Sequence, residues 1–478
     1  MSRPTYLFYD LETTGLNYAF DQVLQFAGIR TDLSFSELER HEILVKLRPD
    51  VIPSPAAMMA HKISLSDNVS AIFEYEATRQ IHALLNEPGT VSIGFNSLGF
   101  DDEFLRFAFY RNLLPPYTHQ HANNCWRMDL LPIVTLYWLY KPDVLKWPWI
   151  DDKASLKLEH LNAANNLADA ASHDAMADVE ASVELARRLS AEKEMWDYAA
   201  GYFKKGLDSA RQDELQPLSK SLQEVYRFGL LVDVGIGSQY NYQAPVLFIG
   251  QSEPYSNQFL WLRLDRPELQ ETTADNIEDT TWVIRKKQGQ KRIILPPKER
   301  FLQRLDSERR QILVDNRRWL EAHPDLLVEI AKYHRQFTYQ EVPNVDVDAL
   351  LYQTNFLTDE EAEVSRRFHN AALSQKAGML GLFRRSDLRQ LAERIIFRNY
   401  PDRMPDSSKP ASEAFMKQVN PPDEEQAMVD YRGKRRMTPR RAISEIEALR
   451  SGGELSAQQS LILDELAGYL RSRFPEAN

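Results

Sequence analysis

Apolar and polar positions recur along the chain with periods that divide it into three blocks. Thr5 to Tyr9 reads as a short strand rich in aromatics, and Val23 to Thr31 and Glu42 to Leu47 read as two more, arranged as a meander. Thr90 to Phe95 predicts a further strand. Asp101 to Arg111 predicts a helix, because Phe104, Leu105, Ala108 and Phe109 fall at helix spacing. Leu156 to Asn162 and Asp174 to Leu189 also read as helices. Strands first and helices interleaved afterwards make an α/β domain over 1–190. From Leu230 to Ile294 the texture changes to short β-prone runs, "LLVDVG", "APVLFIG", "FLWLRLD", "TTWVIRKK" and "KRIIL", punctuated by Gly, Pro, Asn or Asp. With the helical stretch Lys298 to Gln336, they make a β-rich domain with a helical extension over 194–345. Past Pro343-Asn344 the pattern is helical, broken at Pro401, Pro405, Pro410 and Pro421-Pro422, which makes a helical domain over 346–478. No internal repeat or low-complexity tract interrupts this order.

A chain of 478 residues with 43% hydrophobic and 27% charged positions has the material for several packed cores, which excludes disordered and collagen-like classes. The longest apolar run, Leu130 to Tyr140, is too short for a bilayer that needs about 20 apolar residues, and Pro132 interrupts it. No basic segment leads into an apolar stretch at the N-terminus, so a cytoplasmic protein without membrane contact is expected. Cys125 is the only cysteine, which excludes an intrachain disulfide or a zinc knuckle and leaves an ordinary thiol.

The net charge of −11 argues at first against a polyanionic ligand, but its distribution changes the argument. Residues 281–345 carry 14 Lys and Arg against 8 Asp and Glu, next to an acidic N-terminal half. That suits a carboxylate-lined domain beside a segment able to hold phosphates. Arg285, Lys286, Lys287, Lys291 and Arg292 concentrate the charge; they either line a strand's path or solvate a hairpin.

Three constellations carry candidate chemistry. In "YDLETTG", residues 9–15, side chains i and i+2 of a strand share a face, so Asp10 and Glu12 can grip hard divalent cations, and Gly15 lets backbone approach a ligand. In "GFNSLGFDDEFLRFAFYRN", residues 94–112, Asp101 and Asp102 open a helix, where either one caps the helix or points into a cleft. In "SHDAMADVEASVELARRL", residues 172–189, Asp174 is a candidate N-cap, with His173 on the lead-in and Asp178 in the second turn. Each alone is weak.

Taken in order, Asp-x-Glu, then Asp, then His-x4-Asp resembles the DEDDh family of 3′-to-5′ exonucleases. The strings "DLETTG", "FDDEFLRFAFYRN", "RMDLL", "LKLEHLNAANNL" and "HDAMADV" resemble a bacterial branch that degrades single-stranded DNA. The motifs cover residues 5–190, and the later segments match that branch in length and order. The resemblance implies an RNase H-like mixed sheet flanked by helices, then a small SH3-like domain and an α-helical C-terminal domain. It implies Asp10, Glu12, Asp101 and Asp178 as ligands for two Mg²⁺ ions and His173 as general base, with Glu12 also touching substrate.

Lys157 stands where the branch has a basic residue touching the substrate; Lys keeps the charge but loses the bidentate fork of Arg. Arg106, Tyr110 and Arg111 are candidates to line the channel, or else make a helix with an aromatic core face and solvated arginines. Trp147 and Trp149 either stack bases or clamp a loop, and His119 and His121 read as loop residues. The expected activity is hydrolysis of single-stranded DNA from the 3′ end to nucleoside 5′-monophosphates, in DNA repair and recombination, by a monomer. The resemblance also suggests the single-stranded DNA-binding protein as partner, docking its acidic tail on a basic pocket. An exoribonuclease and a catalytically silent nucleic-acid-binding scaffold are the alternatives.

Overall fold

The computed structural model describes residues 3–65, 70–169, 174–219, 222, 225–453 and 455–475. The first block is built on a five-stranded mixed sheet of β1 (Thr5–Thr13), β2 (Val23–Thr31), β3 (Glu37–Leu44), β4 (Thr90–Gly94) and β5 (Trp126–Asp129), ordered β3-β2-β1-β4-β5. The first three strands are the antiparallel meander, and β4 and β5 run parallel to β1. Strand periodicity divides β1 between two cores. Leu7, Tyr9 and Leu11 face one that includes Phe104 and Phe109, while Phe8 faces another that includes Val179 and Leu185. Asp10 and Glu12 continue the face of Phe8.

The helices here are α1 (Pro55–His61), α2 (Glu74–Leu85), α3 (Asp101–Arg111), α4 (Leu130–Tyr140), α5 (Leu158–Asn165), α6 (Ala175–Ser190), α7 (Lys193–Ala200) and α8 (Lys205–Asp213). The apolar run at 130–140 is therefore a short core helix, with Asp129 as its N-cap and Pro132 in the first turn, where its missing N–H costs nothing. Two minor strands, β6 (Trp149–Ile150) and β7 (Lys153–Ala154), form a hairpin. β1 runs four residues past its predicted end, because β2 pairs along its whole length, and β3 begins five residues before its predicted start for the same reason.

The second block is a five-stranded antiparallel sheet ordered β11-β10-β9-β8-β12, from β8 (Phe228–Val232), β9 (Gln243–Gln251), β10 (Phe259–Arg263), β11 (Val283–Lys286) and β12 (Ile293–Leu295). Short α9 (Ile277–Thr280) and α10 (Glu299–Leu302) accompany α11 (Ser307–Ala322) and α12 (Pro324–Gln336). The rest is helical: α13 (Asp359–Asn370), α14 (Leu373–Lys376), α15 (Ser386–Asn399), α16 (Lys409–Val419), α17 (Pro439–Ser451) and α18 (Ala457–Arg473). Among the described residues no helix is long and apolar enough to cross a membrane.

The blocks share cores. Leu230, Val232, Ile293 and Leu295 of the second sheet pack with Leu136 and Leu139 of α4. Ile446, Leu463 and Leu466 of α17 and α18 pack with Leu24, Ile52 and Met58. A buried ionic junction reinforces the second contact: Arg398 spans Asp50 (3.0 Å) and Asp348, while Arg48 and Arg111 meet Glu74 at 3.0 and 2.9 Å. Buried pairs of this kind add less net stability than their count suggests, but removing one partner leaves a charge without compensation, which fixes how the helical block seats.

The basic run is corrected in part. Lys286 is fully buried and ion-paired with Asp208, whose carboxylate also accepts the Gly289 amide at 2.8 Å. Lys286 thus pins the β11–β12 connection to α8 and is unavailable to a phosphate. Arg292 pairs with Asp233 at 2.8 Å. Arg111, expected as channel lining or solvated, is fully buried against Glu74, and Tyr110 is a core residue. Cys125 is buried with its thiol on the Glu87 carbonyl, as an ordinary thiol would be.

Candidate active site

The site is assembled where β1 ends. A register shift between Glu12 and Thr13 breaks the regular β1–β2 ladder, and the Thr14 hydroxyl then accepts the Gln22 amide at 2.9 Å and donates to Asp21 at 3.1 Å. Gly15 is required here, since a Cβ would collide with the Asp21 carboxylate. This turn holds Asp10 and Glu12, both half-buried, at the rim of the sheet.

Asp101 arrives from the loop between β4 and α3. Asp129 fixes that loop: its carboxylate accepts the amides of Asn96 (2.8 Å) and Leu98 (3.1 Å) and caps α4 through Leu131 (3.0 Å). Burial pushes Asp129 up to about 6, with the three amides partly offsetting it. The N-cap of α3 is Phe100, and neither Asp101 nor Asp102 caps it with a side chain. The adjacent aspartates have opposite electrostatics. Asp102, fully buried, meets Arg106 at 2.7 Å, Arg127, and His119 at 2.9 Å. Burial alone would raise its pKa, but Arg106 and Arg127 hold it well below the usual carboxylate range. Asp101 is raised well above that range, by burial first and then by Asp129 and Glu12, against the pull of backbone amides.

The last carboxylate comes from α6, which packs on β1 and β2. Asp174 is its N-cap, accepting the Met176 amide at 3.0 Å, as the sequence predicts. Asp178 therefore closes the first turn rather than standing in the second. His173 lies outside the described residues.

The four carboxylates sense one another. Asp10 is raised well above the usual range by burial, then by Asp101 and Asp178. Glu12 is pushed up to about 8 by burial, then by Asp10, Asp178 and Asp174. Among the described residues no group of three or more His, Cys, Asp or Glu is set to hold a metal ion as it stands. The donor set nonetheless has the right chemistry: all oxygen, no thiolate, and an excess of negative charge that a hard divalent cation relieves.

A pH dependence follows. Folding raises these pKa values: for Glu12 the stability this allows is fully present below about 4.5 and is lost as pH rises through about 8, and Asp10 and Asp101 act in the same direction. Metal-free protein should melt lower at pH 8 than at pH 5.5, and Mg²⁺ should restore the melting temperature more at pH 8. Thermal melts in EDTA and in Mg²⁺ measure this, with Glu12→Gln flattening the dependence. A melting temperature indifferent to Mg²⁺ at pH 8 would refute the cation reading.

The other candidates fall elsewhere. Lys157 is exposed at the N-cap of α5, 3.3 Å from Glu159. Arg106 is buried and committed to Asp102, Glu103 and Tyr352, so its guanidinium holds α3 rather than facing solvent. His119, expected in a loop, is buried on Asp102, while His121 is exposed. Trp147 donates to the Pro142 carbonyl at 2.6 Å and packs edge-on against Trp138, a loop clamp, whereas Trp149 is 63% exposed. Asp129 is a residue the sequence reading did not single out; the available signal was an acidic residue just before the apolar run 130–140, where an N-cap is favoured, whereas its grip on the Asp101 loop depends on tertiary contact.

Residues 7–186 match the model of the exonuclease family, and the carboxylates at the β1 rim lie within the matched span. The chain resembles bacterial exodeoxyribonuclease I: the Escherichia coli (strain K12) enzyme is 38% identical over 201 residues. That alignment covers 41% of this chain and 42% of the relative, so it spans about two-fifths of the relative's length. The fold extends further. E. coli exonuclease I in complex with a 5cy-dA13 oligonucleotide superposes with a TM-score of 0.84 at 22% identity, over 98% of this chain and 100% of that one. A structure of SSB/exonuclease I in complex with the inhibitor CFAM gives 0.80 at 23%, over 99% and 100%.

Proposed function

We propose that this chain is a Mg²⁺-dependent exodeoxyribonuclease that removes nucleoside 5′-monophosphates from the 3′ end of single-stranded DNA, in repair and recombination, as a cytoplasmic monomer. The observation that carries the reading is the convergence of Asp10, Glu12, Asp101 and Asp178 within an exonuclease domain, each of the first three with its pKa raised by burial and by neighbouring carboxylates. These four residues would hold two Mg²⁺ ions, which when bound activate a water and stabilise the leaving oxygen. His173 takes the proton from the attacking water; its unperturbed pKa near roughly 6.5 suits that near neutral pH. Water oxygen bonds to phosphorus, the P–O3′ bond breaks, and the shortened strand keeps a 3′-hydroxyl.

The domain division, 1–190, 194–345 and 346–478, serves this chemistry by surrounding the strand. A cavity of about 1230 Å³ is bounded by Glu103 of α3, by Arg285 of β11 with Lys287 and Arg292 of the β11–β12 connection, and by Tyr339 and Tyr352. Basic groups there offset phosphates, and aromatic stacking worth about 1–3 kcal/mol per base makes binding sequence-tolerant. Lys157 is the proposed phosphate contact outside it.

The test is a release assay on matched single-stranded DNA and RNA, with and without EDTA. DNA cleavage that requires metal supports the proposal, preference for RNA moves the chain to the exoribonucleases, and binding without cleavage leaves a scaffold.

The proposed protein partner is a single-stranded DNA-binding protein. A second cavity of about 640 Å³ offers Arg300 and Arg304 beside Leu139, Tyr198 and Phe301, with Lys141 at its rim paired to Glu192 at 2.8 Å, a combination suited to an acidic tail. An acidic peptide of that kind should bind the parent, and Arg300→Ala with Arg304→Ala should weaken it at least tenfold in fluorescence anisotropy. Unchanged affinity would exclude this pocket.

A further inference from the structure

A short arm of the helical block reaches the mouth of the active site. Val429 bridges Arg435 in antiparallel pairing, and the intervening turn Asp430–Lys434 projects between them. Asp430, fully buried, builds it: one carboxylate oxygen accepts the Arg432 amide (2.8 Å) and the Lys434 amide (2.9 Å). The other accepts from Asn17 at 3.2 Å, which ties the arm to the turn that follows Asp10 and Glu12. Tyr431 stacks on Phe107 of α3 at 5.4 Å, and Arg436 is buried on Asp50. The backbone is thus held from both sides. Gly433 has φ +73°, and a Cβ there would meet nothing within 4 Å, so the tip faces open space.

On this scaffold Arg432 lies over the Tyr18 ring at 4.7 Å, and the Tyr18 hydroxyl donates to the Gly99 carbonyl two residues before Asp101. Among the described residues its ion contact is a long 3.6 Å approach to Asp430, whose oxygens already serve the turn. Arg432 and Gly433 border the 1230 Å³ cavity that Arg285 of β11 and Lys287 and Arg292 of the β11–β12 connection border from the second block. Through Tyr18 and Gly99 the arm stands beside the segment that carries Asp101, so a strand approaching that group of carboxylates meets like charge unless a cation intervenes.

We infer that the Val429–Arg435 arm is a strand guide, in which Arg432 binds a backbone phosphate of single-stranded nucleic acid as it passes from the cavity to the carboxylates. The inference rests on the nuclease reading for the direction of the strand, and on the arm's own geometry for the contact. A pre-positioned guanidinium resting on an aromatic ring loses little freedom on binding, which suits it to phosphate.

The experiment measures the affinity of a labelled oligothymidylate in EDTA across a KCl series, for the parent, Arg432→Gln and Arg432→Lys. Arg432→Gln should bind roughly tenfold more weakly at low salt. Its plot of log affinity against log salt should be shallower by about 0.7, the share of one phosphate on a single strand. Arg432→Lys should restore the slope and part of the affinity, and both variants should melt like the parent. An unchanged slope in Arg432→Gln overturns the inference, as does weaker binding with the slope intact, which marks a packing role. Because binding is read without metal, a parent that binds with the expected slope yet fails to cleave in Mg²⁺ refutes the catalytic reading and leaves the arm's role standing.

Discussion

Asp10→Ala and Asp178→Ala should each leave under about a thousandth of the parent's turnover on single-stranded DNA, while the metal-free protein keeps its fold and melts no lower than the parent. The two effects have one origin. The carboxylates are crowded at the end of β1, where burial and mutual repulsion raise Asp10 and Glu12 well above the usual carboxylate range. Deleting one relieves that repulsion, and on the proposed reading it also removes a metal ligand, a loss of at least about 4 kcal/mol in barrier terms. Steady-state nuclease assays paired with thermal melts in EDTA check both parts. Turnover within about tenfold of the parent would sink the ligand assignment.

His173→Ala should reduce turnover by roughly 10²–10⁴, the usual contribution of a general base, with DNA affinity in EDTA close to the parent's. The position immediately precedes Asp174, which caps α6, and α6 delivers Asp178 in its first turn. On the proposed reading, the residue at that position supplies the base. If the variant instead loses DNA affinity and keeps its turnover at saturation, the histidine binds strand rather than moving a proton. If both survive, the base lies elsewhere.

Local rules made much of the site legible. Period-2 alternation alone places Asp10 and Glu12 on one face of β1, and it also explains why they continue the face of Phe8, since the pleat does not depend on what packs above it. Asp174 as N-cap needed only its residue type and the apolar pattern that follows. The fate of Asp101 and Asp102 was different. Both open α3, and nothing in the string "FDDEF" says which one is neutralised. That was decided by Arg127 from β5 and His119 from the turn before it, which close on Asp102 and leave Asp101 among the other carboxylates.

The same division runs through the charged residues. The sequence by itself determined that 281–345 is basic and that the helix at 101–111 carries two arginines, because charge is a property of residue type. Whether a charge faces solvent depends on partners far away in the chain. Lys286 is buried by Asp208, Arg111 by Glu74, and Arg106 meets Tyr352 from the helical block, while Arg432, in a stretch no motif marked, arrives beside Tyr18 through contacts between segments some four hundred residues apart. Element type, the order of blocks and the carboxylate motif follow from interactions between near neighbours, which the sequence spells out directly. The burial of a charge follows from desolvation and ion pairing across the packed blocks, and those energies exist only once the distant partner is in place.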